Sequence, residues 1–96
     1  MKKLMDAVIE NDVAAVKALL EQGADPNVKI DAAGLTPLHF AAQNNAVDIA
    51  KLLLVAGANP DSATDEGETP LDIAIQHRHR DMVQLLKLYQ QQGSVH

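Results

Sequence analysis

The chain has no cysteine and no tryptophan, and only one phenylalanine and one tyrosine among its 96 residues. Without cysteine there is no disulfide framework, no thiolate chemistry and no cysteine-ligated metal. Without aromatics, close packing must come from small aliphatic side chains, and 15 Ala and 12 Leu supply them within a 47% apolar composition. That balance favours helices over sandwiches and barrels, which draw on aromatic and β-branched residues. Basic residues are scarce as well: 8 Lys and Arg stand against 13 Asp and Glu, for a formal charge of −5. Such a field opposes phosphate backbones and anionic lipids, so neither nucleic acid nor a membrane surface is expected as a partner. No stretch reaches the ~20 apolar residues of a membrane span. After Met1-Lys2-Lys3, the carboxylates of Asp6 and Glu10 interrupt the apolar run before a signal-peptide core can form. A soluble cytoplasmic protein is the expectation. A chain this short buries roughly 60–65% of its extended surface, enough for one core and not for a second.

What the chain does have is an internal repeat. Thr36-Pro37-Leu38-His39-Phe40-Ala41-Ala42-Gln43 returns 33 residues later as Thr69-Pro70-Leu71-Asp72-Ile73-Ala74-Ile75-Gln76. Gly23-Ala24-Asp25-Pro26-Asn27 returns 34 later as Gly57-Ala58-Asn59-Pro60-Asp61, so the first connecting loop carries one extra residue. An earlier copy lacks its opening: Leu4 to Val8 aligns with Leu38 to Ala42, and Val16 to Leu20 with Ala50 to Leu54. The chain therefore reads as one domain over 1–96 with three repeats: an N-terminal cap over about 1–29, an internal repeat over 30–62 and a C-terminal cap over 63–92.

Each copy repeats the same local physics. The hydroxyl of Thr36 or Thr69 can cap a helix, and the following Pro suits the first helical position through its fixed φ and missing N–H. The short helix should stop near Asn11, Asn45 and Arg78, where the turn calls for a left-handed residue. Asn adopts that conformation readily, while Arg is expected to be strained by about 1 kcal/mol. A longer helix then runs through Val47 to Leu54 and ends at Gly57, as its counterpart ends at Gly23, both placed as left-handed caps. The polar, turn-rich stretch Asp61 to Glu68 fits a projecting hairpin loop rather than a sheet strand.

A period of about 33 residues with Thr-Pro-Leu-His, Ala-Ala, Leu-Leu and Gly-Ala-Asp-x-Asn resembles the ankyrin repeat, and the resemblance runs from about Leu4 to Tyr89. It implies an all-α solenoid: three helix-turn-helix repeats stacked side by side, with projecting hairpin loops and a concave face. The first copy departs by lacking Thr-Pro-Leu-His, and the third by carrying Gln90-Gln91-Gln92-Gly93-Ser94 in place of Gly-Ala-Asp. Terminal repeats must tolerate water on their outer side, so atypical ends read as caps.

Residues that could carry chemistry are few. The resemblance gives His39 structural hydrogen bonds across the repeat loop; Asp72, its counterpart, is an acceptor able to do only part of that work. His77-Arg78-His79-Arg80 suggests a metal pair, but residues i and i+2 at a helix end are expected to point apart and no third ligand stands near. The only serines are Ser62 and Ser94, neither with an orienting His nearby in sequence. Asp65, Glu66 and Glu68 lie on a solvated turn with no apolar pocket to desolvate them, as a catalytic carboxylate requires. The five glycines are spaced too widely for a phosphate loop. Neither enzymatic activity, nor a cofactor, nor a metal is expected.

In the ankyrin family, partners are held by hairpin tips and by the first helix of each pair. Carried over by position, this places tip sites at Ala32, Ala33 and Leu35, then at Asp65, Glu66 and Glu68. Helix sites fall at Phe40, Gln43 and Asn44, then at Ile73, Gln76 and His77. Leu35, Phe40 and Ile73 could form an apolar strip, ringed by five acids between Asp61 and Asp72 with no base among them. Packing of Phe40 and Ile73 under the hairpins is the alternative. The expected function is a monomeric, non-catalytic module binding a protein partner with a basic, partly apolar surface. An inhibitor or antitoxin-like regulatory subunit of a partner enzyme is a subclass the residues do not separate. An engineered or unselected scaffold is a third reading, against which stand the extra loop residue and Arg78 at a strained turn.

Overall fold

The computed structural model describes residues 2–93, and every regular element among them is helical. In chain order the helices are α1 (Leu4–Ile9), α2 (Val13–Glu21), α3 (Pro37–Gln43), α4 (Val47–Val55), α5 (Pro70–Gln76) and α6 (Arg80–Gly93). They pair as α1/α2, α3/α4 and α5/α6. The first members stack in one row, α1 on α3 on α5, and the second members in another, α2 on α4 on α6. This is the all-α repeat stack expected from the sequence.

The Thr-Pro opening acts as anticipated. Thr36 and Thr69 have extended backbones, and their hydroxyls accept the backbone N–H of His39 at 3.4 Å and of Asp72 at 3.2 Å. The helix ends share one device. At the end of α1 the Asn11 N–H reaches Val8 O at 3.0 Å and the Asp12 N–H reaches Ala7 O at 2.9 Å. The same bond pair, the Schellman arrangement, closes α2, α3, α4 and α5 around Gly23, Asn45, Gly57 and Arg78. All five residues have positive φ, with Asn11, Asn45 and Arg78 between 55° and 59°. Where Gly57 and Gly23 stand in earlier repeats, the third has Gln90, and α6 runs on to 14 residues against 9 for α2 and α4.

Between the rows lies one core. Leu38, Ile49, Leu53, Met82 and Leu86 are fully buried, as are Val8 and Val16. Each such side chain contributes roughly 1.5–3 kcal/mol by leaving water. Successive repeats are also tied by hydrogen bonds. The Asn27 side chain donates to Gly57 O at 3.1 Å and accepts the Asn59 N–H at 2.7 Å. Asp61 Oδ1, one repeat on, accepts from Gln90 Nε2 at 2.8 Å. At the N-terminal end, Lys2 Nζ bridges Glu10 at 2.7 Å and Asp12 at 3.3 Å. No helix among the described residues is long and apolar enough to cross a membrane.

Candidate protein-binding surface

The inner row of helices is α1, α3 and α5, and α3 and α5 are each preceded by a loop closed on itself. The first loop closes where the Ile30 N–H reaches Leu35 O at 2.9 Å, the second where the Thr64 N–H reaches Glu68 O at 2.9 Å. The extra residue of the first loop lies between these bonds. Asp31 Oδ1 holds the first turn through the Ala33 N–H at 3.0 Å, and Thr64 Oγ1 holds the second through the Glu68 N–H at 3.2 Å. The loops lie side by side, joined by the Asp65 N–H to Ala33 O at 2.9 Å. Gly34 suits this turn through its left-handed φ of +82°; a Cβ there would meet the Thr64 backbone at an ordinary contact distance of 3.6 Å, so the backbone conformation, not the space, favours glycine.

His39 fixes the second loop to α3. It is buried, and its Nε2 donates to Glu68 O at 2.9 Å while its Nδ1 accepts from the Thr36 hydroxyl at 2.8 Å and the Thr36 N–H at 3.1 Å. The tautomer with its proton on Nε2 satisfies every one of these contacts. Asp72, in contrast, accepts only the Thr69 N–H at 3.1 Å, a local bond with no reach beyond its own repeat. His79 does reach back, its Nδ1 lying 3.0 Å from Ala42 O.

The paired loops enclose a shallow groove of about 260 Å³ lined by Ala33, Leu35, Thr64, Asp65, Glu66 and Glu68. Three carboxylates face it and no base does. The Gln76 amide donates to Glu68 Oε2 at 2.9 Å, joining the groove to α5. Of the residues expected to bind, the structure thus gathers Leu35, Asp65, Glu66 and Glu68 at one place, with Gln76 attached. Phe40 is half-buried against the core, while Gln43, Asn44 and His77 are exposed at the ends of the inner helices.

Two expectations are corrected. Ile73 is only 8% exposed and belongs to the core, so it is no exposed anchor. His77 and His79 do not point apart: their rings stack with centroids 5.5 Å apart and planes 18° from parallel. The cause is Arg78 between them, whose left-handed backbone (φ 59°) replaces the helical geometry that would have separated the two side chains. Among the described residues no three His, Cys, Asp or Glu side chains converge as a metal site. Sequence reasoning also passed over Thr64, whose hydroxyl shapes the groove; its four-residue spacing from Glu68 was the available signal.

Comparison with known proteins agrees with this architecture. A family model for ankyrin repeats matches three copies across residues 4–94. The mouse 2-5A-dependent ribonuclease is 49% identical over 71 residues, which is 74% of this chain and 10% of that protein. Mouse protein phosphatase 1 regulatory subunit 27 is 39% identical over 84 residues, 88% of this chain and 53% of that protein. The rat ARF GTPase-activating protein GIT2 is 35% identical over 85 residues, 88% of this chain and 11% of that protein. The chain thus spans about half of one relative and about a tenth of the other two. With three copies of the repeat matched along nearly its whole length and every turn of the repeat in place, the chain belongs to the ankyrin-repeat family.

Proposed function

We propose that this ankyrin-repeat domain is a non-catalytic module whose paired loop tips receive a basic, partly apolar segment of a protein partner. The observation that carries this reading is the loop groove, where Asp65, Glu66 and Glu68 stand beside Leu35 with no base in the lining. The loop backbones are tied down by His39, Thr64 and the bond between Asp65 and Ala33, so ordering at binding falls mainly on the carboxylate side chains. Phe40, half-buried, and the exposed Gln43, Asn44, Gln76 and His77 extend the surface along the inner helices; Ile73 supports it from beneath.

Exposed acids speed encounter and lose influence as salt rises, whereas an apolar anchor acts mainly on dissociation. The test uses the chain as bait, with the partner recovered by pulldown and identified by mass spectrometry, then measured by surface plasmon resonance. Glu66→Lys with Glu68→Lys should lower the on-rate and flatten its salt dependence. Phe40→Ala should cost roughly 1–3 kcal/mol of affinity, mostly in the off-rate. A partner that binds all three substitutions at full affinity uses another face, and this reading is then wrong. A role as regulatory subunit of a partner enzyme draws support from one finding, the 39% identity with a phosphatase regulatory subunit across most of this chain. Its test is the activity of the captured enzyme with and without a stoichiometric amount of the chain.

A further inference from the structure

Among the described residues, the outer face of the third repeat stands uncovered, whereas the following repeat covers the same face of the first two. Alignment of the copies puts Val8, Ala42 and Ile75 in one column, Val16, Ala50 and Val83 in a second, and Leu20, Leu54 and Lys87 in a third. In the middle repeat Ala42 and Ala50 are completely buried and Leu54 is nearly so, with α5 and α6 stacked on α3 and α4. In the third repeat the corresponding face is a hollow of about 610 Å³ lined by Ile75, Arg78, Arg80, Val83, Gln84 and Lys87. Ile75 is 53% exposed. Among the described residues no segment turns back over this face, and α6 continues past the position where glycine stops α2 and α4.

Two features separate this surface from a cap that merely tolerates water. The centre stays apolar, with isoleucine and valine where solvation alone would favour polar side chains. The rim is purely cationic: Arg78, Arg80 and Lys87 are three of only 8 basic residues in a chain of charge −5. No carboxylate lines the hollow, and among the described residues none is within ion-pair reach of these three. The hollow at the opposite end differs, since Asp25 stands in its lining and Lys2 is already engaged by Glu10 and Asp12. A further repeat of the same kind would have to bury Lys87 where Leu20 and Leu54 stood, at a desolvation cost that a carboxylate partner offsets.

We infer that this end of the stack is a second docking site, receiving an acidic amphipathic helix from a protein partner. The occupant is helical because helices fill the equivalent face of the preceding repeat. It is acidic because the rim calls for anionic groups, and Asp and Glu are the side chains with which a helix supplies them. Its apolar stripe lies on Ile75 and Val83, in the helix-in-groove manner. This site is independent of the loop groove and opposite to it in charge.

The probe is a synthetic helix of about 18 residues with leucine at helical spacing and glutamate on both flanks, titrated against the full chain by fluorescence anisotropy; a lysine-flanked version serves as the contrast. The glutamate helix should bind and the lysine helix should not. Arg78→Asn with Lys87→Gln should weaken binding about 10-fold or more, and Ile75→Ser about 5-fold. Glu66→Lys with Glu68→Lys should leave it no weaker, which keeps failure here distinct from failure at the loops. Circular dichroism of each variant confirms the fold, and Arg78→Asn suits the left-handed turn. No binding of the glutamate helix, equal binding of both helices, or indifference to the changes at residues 75, 78 and 87 would overturn the site. So would a concentration-dependent dimer in sedimentation that Ile75→Ser abolishes, since the occupant would then be a second copy of this chain.

Discussion

The second and third repeats are built from nearly the same opening, yet only the second passes its bonds onward. Thr36 and Thr69 cap their helices in the same way, and Leu53 and Leu86 are equally buried. The difference lies in what reaches the next repeat. His39 bonds Glu68 O in the following loop and Ala42 O accepts from His79, whereas Asp72 bonds only Thr69. Helix formation is thus a local property that copies faithfully, while stacking is directional and needs particular side chains at particular columns.

The largest effect lies in the core that the two repeats share. Leu53→Ala, in the repeat flanked on both sides, should destabilise by ~2–5 kcal/mol in denaturant unfolding; a midpoint unchanged within error would mean that the buried face is misassigned. Next comes the onward bond. His39→Ala should cost about 1–3 kcal/mol by leaving Thr36 and Glu68 groups without their partner, against less than about 1 kcal/mol for the exposed, local Asp72→Ala. Equal losses would show that the link between repeats contributes nothing. A smaller effect concerns the turns: Arg78→Asn should raise stability by roughly 0.5–1 kcal/mol and Asn45→Arg should lower it by a similar amount, read as opposite shifts in melting temperature.

The smallest effect lies at the N-terminal cap. Asp12 caps α2, and its acceptance of the Ala15 N–H, with Lys2 second, holds its carboxyl below the ordinary 3.8. A lowered native pKa stabilises above that value and ceases to do so as pH falls through the native one. The melting difference between the native chain and Asp12→Asn, which can still cap, should therefore shrink from pH 7 to pH 3. For Lys2 the sign reverses: its Nζ is raised above 10.5, chiefly by Glu10, and that contribution fades only as pH rises beyond this value. A gap that stays constant on acidification would exclude the charge on Asp12 as a source of stability.

The repeat period, the proline-led helices and all three left-handed turns were legible in the sequence because each rests on residues adjacent in the chain. The acid cluster and its place on a loop were legible for the same reason. Ile73 was not. Its column holds exposed Asp6, half-buried Phe40 and then Ile73 in the core, and that gradient depends on how neighbouring helices and loops lie over it. The stacked pair of His77 and His79 was misread because helical spacing was applied across a residue that is not helical. The hollow beside Arg78 escaped notice because its members come from α5, the turn and α6, which only the stacking brings together.

The ties between repeats, Asn27 to Asn59, His39 to Glu68, Ala42 to His79 and Asp61 to Gln90, are separated by between 29 and 37 residues. Each of these links therefore closes a loop of about one repeat, and α1 and α2 make no extensive contact with α5 or α6. Loop closure on that scale is entropically cheap, and propagation from any formed pair adds the next at similar cost. Folding should then be fast for the chain's size and able to begin at either end. The end pairs are joined chiefly through α3 and α4, so the middle pair is the one packed on both sides. Amide exchange should be slowest there and accelerate outward in both directions.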